Sequence, residues 1–227
     1  WRDKYALPDW RNLFKRFLPL SLGGGAIIFM MSIDMVIVQK HFDEKQTGLY
    51  AAAGMIGRSL IFLMGPLVAV MFPKIVRSHV GQKPTDVLKF TLMITAGLCI
   101  VAGSLGILLP KLPLQIIYDK SYLAIAPLVP WFIWAMVPLA LATVLVNNLL
   151  AQKKFPVVYG LVSVNMIYAA TLWYWAPEFA AQTEIFNVNA YISVAKLIGL
   201  GNLAFLSVAA GFTWWHHRSV TNAAEEH

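Results

Sequence analysis

Apolar positions in this chain do not alternate with polar ones; they run on without interruption. Residues 90–110, 121–152 and 155–177 contain no Asp, Glu, Lys or Arg, and runs of about 18 or more such residues are long enough to cross the hydrocarbon core of a bilayer as helices. The pattern predicts six spans at roughly 18–38, 48–73, 90–109, 122–150, 157–176 and 190–215. Gly23, Gly24 and Gly25 in the first, Ala53, Gly54 and Gly57 in the second, and Gly199 and Gly201 in the sixth are small enough to let helix backbones approach closely. Pro66 and Pro138 fall inside spans and predict kinks. Pro110 and Pro113 interrupt the chain after the third span, and Pro127 and Pro130 blur the start of the fourth, so residues 114–126 are expected to lie along the surface. The expected fold is an all-α, six-helix membrane bundle over residues 18–215. An amphipathic segment over 1–17 precedes it and a tail over 216–227 follows.

Composition agrees with the pattern. Of the 227 residues 59% are hydrophobic and 13% charged, against about 45–50% and about 25% in ordinary soluble domains. A net charge of +7 would suggest nucleic acid in a soluble protein. Here the basic residues sit mainly between apolar runs, where they face lipid headgroups, and nucleic acid is discounted. The single cysteine, Cys99, lies inside an apolar run, reads as a small core residue and leaves the redox compartment unread. The chain starts at Trp1, and residues 1–17 lack the apolar core of a secretory signal; a fragment or trimmed product is expected.

Orientation follows from Lys and Arg, which are retained on the cytoplasmic side. Twelve lie in the amino-terminal segment, the 74–89 and 151–156 loops and the tail, against Lys40, Lys45, Lys111 and Lys120 on the other side. Both termini are expected in the cytoplasm. Trp10, Leu13, Phe14 and Phe17 recur at near-helical spacing among basic residues, as in an interfacial helix or, equally, a basic juxtamembrane linker.

Three charges fall inside spans: Asp34, Arg58 and Lys196. Each costs at least about 2.5–3.5 kcal/mol near the bilayer centre. Asp34 and Lys196 lie at matching depths and are expected to pair, either as a structural salt bridge or as a gate. Arg58 sits about 15 Å into its span, with no carboxylate expected beside it. Its five donors suit a phosphate, which makes it the candidate substrate contact. Asn165, Asn147 and Asn148 are expected chiefly to join helices. No nucleotide loop, HExxH, GxSxG or CxxC occurs, and His216–His217 lacks further ligands, so neither a catalytic group nor a metal site is expected, and the chain is not read as an enzyme.

Several stretches carry a resemblance. Asp34-Met-Val-Ile-Val, then 47–58 (TGLYAAAGMIGR) and Val70-Met-Phe-Pro-Lys74, followed by Tyr118-Asp-Lys-Ser-Tyr122, Ala126-Pro and Asn147-Asn-Leu-Leu-Ala-Gln152, are similar to the second half of polysaccharide flippases of the multidrug, oligosaccharidyl-lipid and polysaccharide exporter superfamily. The similarity spans roughly residues 10–215. It implies the carboxy-terminal six-helix lobe of a two-lobe transporter, partnered by a missing amino-terminal lobe. That transporter would flip a polyprenyl-linked saccharide across the bacterial cytoplasmic membrane for polysaccharide biosynthesis. By the same resemblance Asp34 would take part in cation coupling, Arg58 would face the central cavity and Asn165 would join the cation site. Position 169 is Ala rather than a second carboxylate, and Lys196 departs from the family pattern, which leaves proton, sodium or no coupling open. A drug or small-cation exporter of the same superfamily, a six-helix scaffold subunit and an intramembrane enzyme remain as alternatives. No cofactor beyond a coupling cation is expected.

Overall fold

In the computed structural model, residues 10–78, 84–181 and 188–225 are described, and every long segment among them is helical: α1 (Trp10–His41), α2 (Glu44–Ser78), α3 (Pro84–Leu108), the short α4 (Leu112–Ile117), a 3-10 helix (Lys120–Leu128), α5 (Val129–Ala151), α6 (Pro156–Ala181) and α7 (Val188–Glu225). Five segments are long and apolar enough to cross a membrane: Phe17–His41, Leu88–Leu108, Lys120–Ala151, Pro156–Ala181 and Val188–His216. The second expected span, 48–73, falls within the 35-residue α2 but is not among the five.

α5 is the axle of the bundle. It carries no charged residue and is apolar around its whole circumference, and a helix of that kind is stable only when surrounded. It packs chiefly against α2 and α7, then α3, with Phe132, Met136, Leu139 and Val146 fully buried. α1 instead packs mainly on α6, and α6 on α7. Asn202 donates to the Ala135 carbonyl at 2.8 Å, tying α7 to α5, and Asn165 donates to the Ala26 carbonyl at 3.0 Å, tying α6 to α1. Such buried amide bonds satisfy polar groups that would be costly to leave unpaired between apolar helices.

The connections are set by local chemistry. α5 ends in a Schellman turn, with Lys154 N–H donating to the Leu149 carbonyl and Lys153 N–H to the Leu150 carbonyl. Lys153 takes the left-handed position at φ 58°, where glycine is usual, and the turn sends α6 back along α5. At the other end of the bundle the Lys40 ammonium stands 4.0 Å from the Trp173 ring and His41 meets the same ring edge-on, so the end of α1 rests on α6, which runs on to Ala181.

Several expectations are corrected. Residues 114–126 do not simply lie on the surface. Leu114, Ile125 and Ala126 are buried, because α4 and the 3-10 helix tuck against α5 and α2. Of the two alternatives for residues 10–17 the helical one is seen, as these are the first turns of α1, with Phe14 and Phe17 exposed, while 1–9 lie outside the described residues. The expected tail is helical through Glu225, as α7 overruns its apolar stretch. Asn147 and Asn148 bond within their own turn of helix, to Thr143 and Gln152, rather than across helices. Gly24 and Gly25 face open space, whereas Gly23, Gly57 and Gly201 are closely approached by Leu150, Phe132 and Tyr168, and at Gly57 an added Cβ would stand 2.8 Å from backbone atoms of Phe132.

Candidate functional site

Asp34 lies seven residues before the end of α1, and Arg58 fourteen after the start of α2. At about 1.5 Å per residue these are about 10 Å and about 21 Å from the end of the bundle the two helices share. Side chains on a helix lean toward its N-terminus, and α2 begins where α1 finishes, so the Arg58 side chain extends up α1 toward Asp34.

There the guanidinium is bound twice. Arg58 Nη2 donates to Asp34 Oδ2 at 2.5 Å, forming the ion pair, and Nε donates to the Met31 carbonyl at 2.8 Å. Tyr50, one helix face along α2 and fully buried, donates its hydroxyl to the same Asp34 Oδ2 at 2.7 Å. The Tyr50 ring is held by Phe132 edge-on at 5.0 Å and by Tyr191 at 6.2 Å. Gly54 leaves room for the guanidinium, since a Cβ there would stand 2.9 Å from Nη1.

The pairing differs from the sequence expectation. Asp34 meets Arg58, not Lys196, because the long Arg58 side chain spans the difference in depth between the two Cα atoms while Lys196 is exposed. The 12% exposure of the Arg58 side chain, against 1% for Asp34, shows a guanidinium held at the edge of the interior and not isolated in it. Lys196 is exposed, on the outer side of α7, with its ammonium 4.9 Å from the Trp131 ring. Asn165 is engaged with α1 two turns below Asp34, at Ala26, rather than with the ion pair. Sequence reading missed Tyr50 and Tyr168. The signal for Tyr50 was present, because residues 50, 54 and 58 share a helix face at a spacing of four.

Asp34 Oδ1 is buried without a hydrogen-bond partner among the described residues, as are the Asn165 Oδ1 and Tyr168 hydroxyl oxygens on α6. The cluster therefore joins α1 and α2 around one carboxylate, Asp34, both of whose hydrogen bonds go to Oδ2, leaving Oδ1 as a further acceptor.

Tyr50→Phe is expected to cost about 1.5 kcal/mol, the lower end for a hydrogen bond to a charged group because Arg58 still holds Oδ2. Thermal unfolding of the detergent-solubilised chain measures it; an unchanged midpoint would mean the hydroxyl contributes nothing to the pair.

No protein-family model matches this chain, and neither a curated protein nor a solved structure was found to match it.

Proposed function

We propose that this chain is one six-helix lobe of a membrane transporter that flips a lipid-linked oligosaccharide from the cytoplasmic to the outer leaflet of the bacterial cytoplasmic membrane, with both termini of the chain in the cytoplasm and no covalent chemistry. The observation that carries the reading is the Asp34–Arg58 pair itself. It links α1 and α2, whose largest interfaces are with different helices, α6 and α5, so breaking it would loosen one of the ties between them. It also keeps a phosphate-matched guanidinium neutralised until an anion replaces the carboxylate.

In this reading Arg58 exchanges Asp34 for the pyrophosphate during transit. Asp34 Oδ1 is the place where a proton or sodium ion would weaken the pair, and such an effector shifts the population only by preferring the open state. The second lobe would complete the cavity and the lobes would rock around it. The exposed stripe of Met55, Ser59 and Phe62 on α2, beside Arg58, is the surface such a lobe would face. An exporter of organic cations fits less well, because the acid of this lobe is already neutralised by Arg58.

Arg58→Ala alone would leave a buried, uncompensated carboxylate and confuse folding with transport. The test is therefore the double variant Asp34→Ala/Arg58→Ala in the complete two-lobe protein, assayed for flipping of a fluorescent polyprenyl-linked glycan in vesicles. Flipping is expected to fall by about tenfold or more, equivalent to about 1.4 kcal/mol of lost phosphate contact, at unchanged protein content. Flipping at the parent rate removes Arg58 from the transport path, and no flipping by the parent protein returns the scaffold reading.

A further inference from the structure

Where α5 turns back into α6, a half-enclosed cavity of about 140 Å³ lies against α7. Leu149 near the end of α5, Val157 at the start of α6, and Phe212 and Trp215 on α7 supply most of its apolar lining, and Lys154 and His216 are the polar side chains in it. The turn treats its two lysines differently. Lys153 occupies the left-handed position and is exposed, whereas Lys154, whose N–H is bonded to the Leu149 carbonyl, is half-buried and lines the cavity.

The level of the cavity in a bilayer follows from the chain reversal. The apolar stretches Lys120–Ala151, Pro156–Ala181 and Val188–His216 each have one limit here, and residues 152–155, which connect the first two, leave the helical path and include both lysines. Non-helical backbone does not face lipid within the hydrocarbon core, so the reversal stands at the edge of that core. Indole rings gather at the same level. Trp214 and Trp215 are exposed, and the Arg218 guanidinium lies 4.2 Å from the Trp214 ring, as amphipathic rings and long basic side chains do among headgroups. Leu149, Val157 and Phe212 lie on the hydrocarbon side of Lys154 and His216, since Phe212 is one helical turn before His216 and Leu149 precedes the turn.

The charge here is uncompensated along these elements. Residues 129–177 and 185–224 contain no Asp or Glu, so the parts of α5, α6 and α7 around the cavity bring no carboxylate to Lys153, Lys154 and Arg218. A free inorganic anion would answer the charge and leave the apolar walls unused. An acidic peptide would have to bring its polar backbone among them. A phosphate joined to an acyl chain meets both requirements, cations at headgroup level and apolar walls just beneath.

We propose that this cavity is a binding site for an anionic glycerophospholipid of the leaflet at this end of the bundle, with the phosphate on the Lys154 ammonium and the glycerol end of one acyl chain among Leu149, Val157 and Phe212. The site requires that the chain be in a bilayer, and it is independent of what cargo, if any, passes Arg58.

The test uses the full chain in phosphatidylcholine vesicles with two photoactivatable probes of identical acyl chains, a phosphatidylglycerol and a phosphatidylcholine, and maps the labelled peptides by mass spectrometry. The phosphatidylglycerol probe is expected to label peptides covering residues 149–157 and 212–216 about fivefold more than the phosphatidylcholine probe, equivalent to about 1 kcal/mol for one basic residue at the membrane surface. Lys154→Gln lowers that labelling to the phosphatidylcholine level, with phosphatidylcholine labelling itself unchanged, and Lys154→Arg keeps it. Lys153→Asn removes the adjacent charge with a residue that tolerates the left-handed position, and is expected to change the labelling by less than about twofold. Asp34→Ala/Arg58→Ala leaves it unchanged, which separates this site from the transport reading. Equal labelling by the two probes, or an equal loss in Lys153→Asn and Lys154→Gln, makes the attraction a property of the basic surface as a whole and overturns the proposal. So does displacement of the probe by millimolar inorganic phosphate at constant ionic strength, which would make the occupant a free anion. Absence of labelling by both probes overturns it in favour of another protein segment filling the cavity.

Discussion

Asp34→Ala is expected to destabilise the chain by about 3–5 kcal/mol, the cost of removing one partner from a buried ion pair. The carboxylate is 1% exposed and accepts from both Arg58 Nη2 and the Tyr50 hydroxyl, so its removal strands a guanidinium and a phenol together. The loss is one of stranded partners rather than of attraction, which makes a specific ordering the test. Asp34→Asn keeps an acceptor for both donors and falls between parent and Asp34→Ala. Asp34→Ala/Arg58→Ala removes both charges and recovers stability relative to Asp34→Ala, because the desolvation cost of the guanidinium disappears with it. Thermal unfolding in a fixed detergent reports all three. A double variant less stable than Asp34→Ala would show that the loss lies in the attraction removed and not in stranded partners, and would contradict this ordering.

The second large effect is expected where no charge is involved. Gly57→Ala places a methyl group 2.8 Å from the carbonyl carbon and oxygen of Phe132 and 2.9 Å from its Cβ. Those are backbone or near-backbone atoms of the most enclosed helix, so no rotamer relieves the clash and α2 must move off α5. Overpacking of this kind costs about 1–3 kcal/mol, and the upper end is expected because α2 and α5 share one of the two most extensive helix–helix interfaces in the bundle. Gly65→Ala, eight residues further along the same helix with open space around it, is the control. It is expected within about 0.5 kcal/mol of the parent, or slightly more stable from helix propensity. Equal unfolding midpoints for the two variants would mean that α2 does not rest on Phe132.

Helix existence was legible from the run of apolar residues because it depends on local composition: the stretches expected at 18–38, 48–73, 157–176 and 190–215 lie within single helices, 90–109 overruns α3 by one residue, and 122–150 begins in the 3-10 helix that precedes α5. The exception is the 114–126 stretch, where Pro110 and Pro113 correctly marked a break. Burial of Leu114 and Ile125 depends on what the broken segment folds against, and no local signal carries that. The candidate site was legible as a set of residues but not as an arrangement. Asp34, Arg58 and Lys196 stood out because charge is rare inside apolar runs, yet their pairing was misjudged. Depth counted along the axis ignores the reach and tilt of a long side chain, and it also ignores which face of its helix each residue occupies. Lys196 faces outward on α7, and no count of residues from a helix end reports that. Tyr50 went unnoticed because a lone tyrosine in an apolar run looks like packing; only its 2.7 Å bond to Asp34 makes it part of the site.

The sequence by itself determined that the chain is a set of long apolar helices, where those helices break, and which three ionisable side chains had to find partners or leave the interior. These are consequences of backbone hydrogen bonding and of the cost of burying charge, and both act residue by residue. Tertiary structure alone decided that α5 is surrounded, that Gly57 and not Gly24 or Gly25 meets the backbone of a neighbouring helix, and that Arg58 rather than Lys196 neutralises Asp34. Each of those depends on the rotation of one helix about its axis relative to its neighbours, a quantity set by the simultaneous packing of all the helices and written in no single stretch of the chain.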